Sequence, residues 1–325
     1  PLAQWPATGV RLVVDDQVSG SKRIVVVGIG GAEVTAAAVG TVTEPGATGT
    51  QTIAHGLGTT PAGCLFFATG GAAVADTSTD QQCSPMIGAF DGTNSWVCAL
   101  STTFGTVPTV ANSYAKSGEV IALSGDGTTL NARATGVSLD ATNITINWIE
   151  RGGSRPVFWA AWAGGRFKVG SSATRIDTNS FVGPSAGFTP AGVVFASASR
   201  AESTADTMTA HAQLSIGEAV SPSSRAAYAV LWENAVSPSQ TRRAMEFDEG
   251  YANIGTAEAI VGLMDVTSLA DPMQLVMDDA DPAESFFGVA IWGNSAADTG
   301  LLWLPRQQIV RAQARWSAVA SGMTP

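Results

Sequence analysis

The chain repeats itself at the scale of a whole domain, and this limits its fold more than any other feature. Thr60-Pro61-Ala62-Gly63 precedes the apolar run Cys64 to Ala68, and 129 residues later Thr189-Pro190-Ala191-Gly192 precedes Val193 to Ala196. Ile87-Gly88 returns as Ile216-Gly217, Ser138-Leu139 as Ser268-Leu269, and the Phe158 to Gly164 run as Phe287 to Gly293. Trp162 and Trp292 are 130 residues apart. Landmarks in one order at a nearly constant offset mark a tandem duplication. Solenoid and propeller repeats recur at about 20–50 residues, a much shorter period.

A feature required by the shared domain should occur in both copies, and the residues suited to chemistry do not. In a fixed-offset alignment His55 stands opposite Pro184, Cys64 opposite Val193 and Cys98 opposite Ala227, while His211 has no histidine counterpart. The repeated residues are Gly, Pro, Phe and Trp, which build turns and cores. The duplication therefore favours architecture over catalysis, with no catalytic residue, cofactor or metal site expected.

Charged residues make up 14% of the chain, against a usual share of about 25%. Gly, Ala, Ser and Thr replace them, a mix that suits short strands and surfaces that pack on other subunits. The net charge of −10 shows no basic face for nucleic acid. An odd number of cysteines argues against a secreted disulfide framework. Two of them align with small apolar residues, so buried thiols are expected. Pro1 to Pro6 lacks the basic and apolar regions of a signal peptide, and Ile24 to Ile29 is too short to span a bilayer. The expectation is a soluble protein made in the cytoplasm, without membrane insertion.

Four segments follow: an N-terminal β arm (1–45) with strands near Arg11–Val14 and Arg23–Val27, repeats at 46–164 and 165–294, and a tail (295–325). The first repeat offers short strands at 64–68, 95–100, 120–123, 144–149 and 157–163, separated by turn signals such as Asp91-Gly92 and Asp126-Gly127. Asn143 to Glu150 alternates polar and apolar residues, as a strand with one wet face does. The second repeat shows the same hairpin at 273–277 and 286–292. In the tail, Ile309, Ala312, Trp316 and Val319 form one stripe at helical spacing after Pro305. The fold class expected is all-β: two tandem jelly-roll-like β-sandwich domains, an N-terminal β arm and a short C-terminal helix.

Motifs that imitate active sites fail on context. Val25 to Glu33 resembles a dinucleotide fingerprint, but Glu33 occupies the last glycine position and no strand–helix alternation follows. Gly183-Pro184-Ser185-Ala186-Gly187 has nucleophile-elbow spacing, with Asp206 and His211 as conceivable partners, yet a strand follows where a helix is needed. Asp278, Asp279, Asp281 and Glu284 offer oxygens to calcium but lack the EF-hand spacing. Tryptophans on strands read as core. Trp5, Leu301, Leu302, Trp303, Ile309 and Trp316 lie outside the repeats and read as an assembly interface. Trp96 and Trp232, flanked by polar residues near strand ends, are the candidate sugar-stacking platform; Trp96 aligns with Arg225, so the platform is not duplicated.

Ile53-Ala54-His55-Gly56-Leu57-Gly58-Thr59-Thr60-Pro61, then Leu65-Phe66-Phe67, Ile146-Asn147-Trp148 and a closing aromatic–Ala–Trp–Ala–Gly strand resemble minor tail or tail-appendage virion proteins of tailed bacteriophages. The resemblance covers roughly 50–164 and 180–293 and rests on structural motifs. It implies a non-enzymatic virion subunit, most of all a tail-tip or baseplate protein, bound to other virion proteins and to copies of itself. The alternatives are a receptor-binding module for host cell-surface glycan and a capsid decoration or spike protein.

Overall fold

A computed structural model of the chain describes residues 33–71, 82–103, 108–125, 127–238, 240–257 and 259–293. The strands read at 11–14 and 23–27, the glycine run ending at Ala32 and the C-terminal helix lie outside these residues, as do Trp5, Leu301, Leu302, Trp303, Ile309 and Trp316.

The described chain is all-β, and its strands follow from alternation. At Asn143 to Glu150, Ile144, Ile146 and Trp148 are buried while Asn143, Asn147 and Ile149 are more open. The first copy contains β1 (Ala36–Thr43), β2 (Gly49–Ala54), β3 (Gly63–Ala68), β4 (Gln82–Cys83), β5 (Met86–Phe90), β6 (Ser95–Thr103), β7 (Val110–Ser117), β8 (Ile121–Ser124), β9 (Leu130–Leu139), β10 (Asn143–Glu150) and β11 (Pro156–Ala163). One antiparallel sheet runs β1-β11-β3-β5-β6, with both β4 and β7 paired to β6, and the other runs β2-β10-β9-β8. Phe66, Phe90, Tyr114 and Trp159 from the first sheet meet Ile53, Ile121, Leu123, Ile146 and Trp148 from the second in one core.

The second copy contains β12 (Arg166–Ala173), β13 (Ser180–Val182), β14 (Pro190–Ser197), β15 (Ala212–Ser221), β16 (Ser224–Trp232), β17 (Thr241–Glu246), β18 (Tyr251–Ile254), β19 (Ile260–Ser268), β20 (Gln274–Asp279) and β21 (Phe286–Gly293). Its sheets run β12-β21-β14-β15-β16-β17 and β13-β20-β19-β18. Apart from β4, this is the first copy's order strand for strand. The core is again between the sheets, built on Phe195, Phe287, Tyr251 and Leu275 with Met264, Met273 and Met277. β1 falls within the span read as an arm; its pairing with β11 matches that of β12 with β21.

Register sharpens the alignment. Trp162 pairs with Gly63 and Trp292 with Gly192, so the Thr-Pro loops and these tryptophans are true counterparts. The offset changes at one hairpin. Phe90 pairs with Ser95, but its counterpart Ala219 pairs with Arg225, one residue further along. The extra residue in that turn makes Ala226 the counterpart of Trp96 and Tyr228 that of Cys98, in place of Arg225 and Ala227. Cys64 and Cys98 are buried, Cys83 is exposed, and none forms a disulfide. Burial pushes the Cys98 thiol up to about 12 and that of Cys64 higher still.

The repeated Ile-Gly dipeptide has a steric cause. A Cβ on Gly88 would collide with the carbonyl oxygen of Val120, and one on Gly217 with that of Gly250, its counterpart. In both copies the backbone entering the second sheet crosses directly over the glycine, held by Val120 N–H to Ala134 O (2.8 Å) or Gly250 N–H to Met264 O (2.7 Å). Only a residue without a side chain permits that approach. Gly88→Ala or Gly217→Ala should each cost ~3 kcal/mol or more through overpacking. Urea unfolding of the purified variants measures this, and unchanged midpoints would refute the steric reading. In folded protein a thiol reagent should modify Cys83 alone; in unfolded, unreduced protein it should modify all three cysteines.

Candidate functional site

Trp96, Cys98 and Leu100 point to one side of β6, with Val97 and Ala99 pointing into the core on the other. An outward sheet face would ordinarily be polar. This one is apolar, and the second copy covers it. Both copies belong to one compact unit, Ala32–Thr299. The Trp96 indole lies against Gly288, where a Cβ would strike the ring, and its N–H donates to Val289 O at 3.1 Å. The Cys98 thiol donates to Ala196 O (3.3 Å) and the Ser113 hydroxyl to Ala198 O (3.3 Å). Leu100 and Ala111 of the first copy cluster with Ala212 and Val230 of the second, and Leu214 and Trp232 pack on them.

The expected sugar platform is thereby corrected. Trp96 is fully buried in this seam and offers no face to a ligand. Trp232 is half-buried against the same cluster. The alternation of β6 told which residues share a side but not that both sides are covered. The flanking Asn94 belongs to a turn in which the Asp91 carboxylate accepts the Thr93 and Asn94 N–H groups. Asp91 also reaches across the seam, accepting Val169 N–H (2.9 Å) and lying 3.4 Å from the Lys168 ammonium. Burial opposes its ionisation, but the N–H donors of Asn94, Val169 and Thr93 outweigh that and hold its carboxyl below the usual range.

The seam also closes an edge. On its far side from β6, strand β7 pairs with no further strand among the described residues of the first copy. A loop of the second copy bonds there: Ser113 and Thr209 exchange backbone bonds at 2.8 and 3.1 Å, and Ser203 N–H donates to Ala115 O. Thr109 exchanges bonds with Ala235 and Val236 in the same way. Covering an edge strand removes a site for unwanted pairing. The link between the copies is two residues long, Gly164-Gly165, both at positive φ (79° and 69°), a conformation that glycine adopts without strain. It brings Trp162 within 5.6 Å of its counterpart Trp292, centroid to centroid, with Phe167 at 4.8 and 5.0 Å from them.

Charge is concentrated beside the seam. Arg133 bonds Glu119 (3.0 Å), Glu150 (2.9 Å) and, from the second copy, Asp206 (2.5 Å), while the Tyr114 hydroxyl donates to Glu119 at 3.2 Å. Asp206 is thus engaged by Arg133, and His211 Nδ1 accepts the Asn234 N–H. Ser185 sits in a loop held by Asp271 through the Ala186 and Gly187 N–H groups. The three residues that imitate a hydrolase triad each have separate surroundings. His55 is a clamp: Nδ1 accepts Leu57 N–H, so Nε2 carries the proton and donates to Asp140 O at 3.0 Å.

The acidic hairpin also divides. Asp281 is fully buried and accepts from Thr174, Tyr251 and Asn253. Asp278 instead joins Glu249 and Asp265, with one oxygen of each within 4.8 Å of the others. This trio has the donor type for a divalent cation, and Arg225 pairs with Asp265 beside it. Glu249 is the counterpart of Glu119, whose cation is Arg133. Sequence spacing could not find the trio, because its members come from three separate segments. No protein-family model matches the chain, and no curated protein matches it.

Trp96→Ala should cost about 3–5 kcal/mol, as other buried aromatic truncations do, and calorimetry should show the single unfolding transition broaden or split. Arg133→Met, which leaves Glu119 buried without its cation, should cost about 3–5 kcal/mol. Burial pushes the Glu218 carboxyl up to about 7, and burial with Asp265 and Asp278 alongside raises that of Glu249. Each holds its proton more tightly folded than unfolded, so its contribution is full below the ordinary carboxylate range and lost as pH rises through the folded value. Stability should therefore fall between about pH 5 and 8. Glu218→Gln and Glu249→Gln should flatten that slope in chemical denaturation.

Proposed function

We propose that the chain is a non-enzymatic structural subunit of a tailed-bacteriophage virion, placed in the tail as a tail-tip or baseplate component. One observation carries this reading: the residues behind the virion-protein resemblance serve to hold the duplicated sandwich. His55 clamps a strand end to a turn, Phe66 and Trp148 fill the core, and Trp162 meets its own counterpart at the link between copies. A chain that uses its aromatic residues and its one well-defined histidine clamp in this way is built to keep a shape. The glycan-binding alternative loses its platform, since Trp96 is buried and Trp232 is packed at the seam.

The test is to purify particles of the phage that encodes the sequence and quantify the chain by mass spectrometry. It is expected in intact virions at a fixed ratio to the tail proteins, and in isolated tails after the capsids are removed. Presence in the lysate with absence from particles would refute a virion role, and recovery with capsids alone would move it to the head.

A further inference from the structure

A buried carboxylate requires a cation, a proton or several hydrogen-bond donors. Glu119 of the first copy has a cation, the Arg133 guanidinium at 3.0 Å, with the Tyr114 hydroxyl donating alongside. Its counterpart Glu249 is just as enclosed, at 7% exposure, yet its Oε2 accepts no hydrogen bond from any described residue. Strand register shows what the second copy has lost. Ala122 pairs with Arg133 and Ala252 with Leu263, so a leucine holds the arginine's place. Register also shows what it has gained. Asp265 stands where the first copy has Thr135, and Asp278, the extra residue of a bulge in β20, stands where it has Ile149. Around the same buried acid, one cation has been exchanged for two further carboxylates. Arg225 answers only part of this excess. Its Nη2 reaches Asp265, while its Nε and Nη1 donate to the backbone carbonyls of Asp248 and Pro222. Three carboxylates against one guanidinium leave two negative charges.

We propose that Glu249, Asp265 and Asp278 form a calcium site, whose ion does for Glu249 what the Arg133 guanidinium does for Glu119. The donors are all oxygen, as a hard cation requires. One oxygen of each carboxylate lies within 4.8 Å of the others. Oxygens bound to one calcium at about 2.3–2.6 Å are at most about 5 Å apart, so the side chains need little movement to share an ion. Calcium fits better than magnesium because it accepts an irregular shell, whereas magnesium demands a near-ideal octahedron at shorter distances. Glu249 closes the inner side of the site, and the exposed Asp278 leaves the outer side open for entry and for water ligands. Without the ion a proton on Glu249 relieves the same strain, which is why burial, with Asp265 and Asp278 alongside, raises its carboxyl. The ligands come from the turn before β18, from β19 and from β20, so the ion pins that turn to the second sheet. The site lies within the second copy and is independent of the virion reading.

Isothermal titration of the chelator-treated full chain with calcium chloride tests this. One ion per chain is expected, with a Kd of about 0.1–1 mM, the weak end of the range for protein sites, and magnesium should bind at least about tenfold more weakly. Glu249→Gln should abolish calcium binding, and Asp278→Asn should weaken it at least about tenfold. Asp278 is exposed, so its variant carries the test even if the buried Glu249→Gln folds poorly. Asp279→Asn, at the adjacent exposed acid outside the trio, should bind as wild type does. Calcium should also raise the thermal unfolding midpoint of wild type and Asp279→Asn but not of Asp278→Asn, and the same scans report whether each variant is folded. Absence of saturable binding at ten times the expected Kd would overturn the proposal. So would calcium binding that survives both Asp278→Asn and Glu249→Gln, or magnesium bound as tightly as calcium.

Discussion

The seating of Trp96 on Gly288 is the contact on which the arrangement of the two copies depends. It takes a face that would otherwise be an exposed apolar sheet and makes it interior. The indole contributes its area, and its N–H finds Val289 O, so no polar atom of the ring is left unpaired in a dry place. Gly288 is as necessary as the tryptophan, since any side chain there would hold the sheets apart. Around this contact the hydrogen bonds of Cys98, Ser113 and Asp91 fix register, and the loop along β7 closes the edge. The result is one compact unit rather than two domains on a tether.

The copies solve the same local problems with different residues. At the corner where the final hairpin turns, the first copy buries Glu44 under the Gly153 N–H and the Arg155 guanidinium. The second buries Asp281 from the opposite strand of the corner, satisfied by Thr174, Tyr251 and Asn253. A buried acid is retained in each, but its position in sequence and its partners have changed. Glu119 and Glu249 show the converse: the acid stays in place, but Arg133 pairs with Glu119 directly whereas in the second copy Arg225 pairs with Asp265, the acid beside Glu249. Backbone geometry is kept where it is sterically dictated, as at Gly88 and Gly217, and polar chemistry drifts where several solutions satisfy the same atoms.

That division explains what could be read from the sequence. Strand positions, the hairpin turns and the duplication were legible because they rest on period-two alternation and on glycines with no substitute. The seam was not. Alternation along β6 says that Trp96 and Val97 face opposite ways, but it cannot say that both sides are covered, because a second layer leaves no periodic trace. The single extra residue in the hairpin after Ala219 also displaced the alignment locally and paired Trp96 with Arg225 instead of Ala226. The acidic trio and the Arg133 cluster were hidden because their members are joined only by topology. Likewise Asp281 reads as one of four exposed acids until its carboxylate is seen at the centre of a buried corner.

The position of β11 and β21 has a consequence for the making of the protein. Each is the last strand of its copy, yet each lies between the copy's first strand and its third, so Ala36 waits for Ala163 before it is paired. Closure over so long a separation must offset its loop entropy before the contacts reward it, which makes folding slow. During synthesis the first sandwich stands open along two edges until its final strand has left the ribosome. That strand then leads through two glycines straight into the second copy, whose own closure waits on Phe286 to Gly293. While those edges are open, the nascent chain is exposed to wrong pairing with its own duplicate.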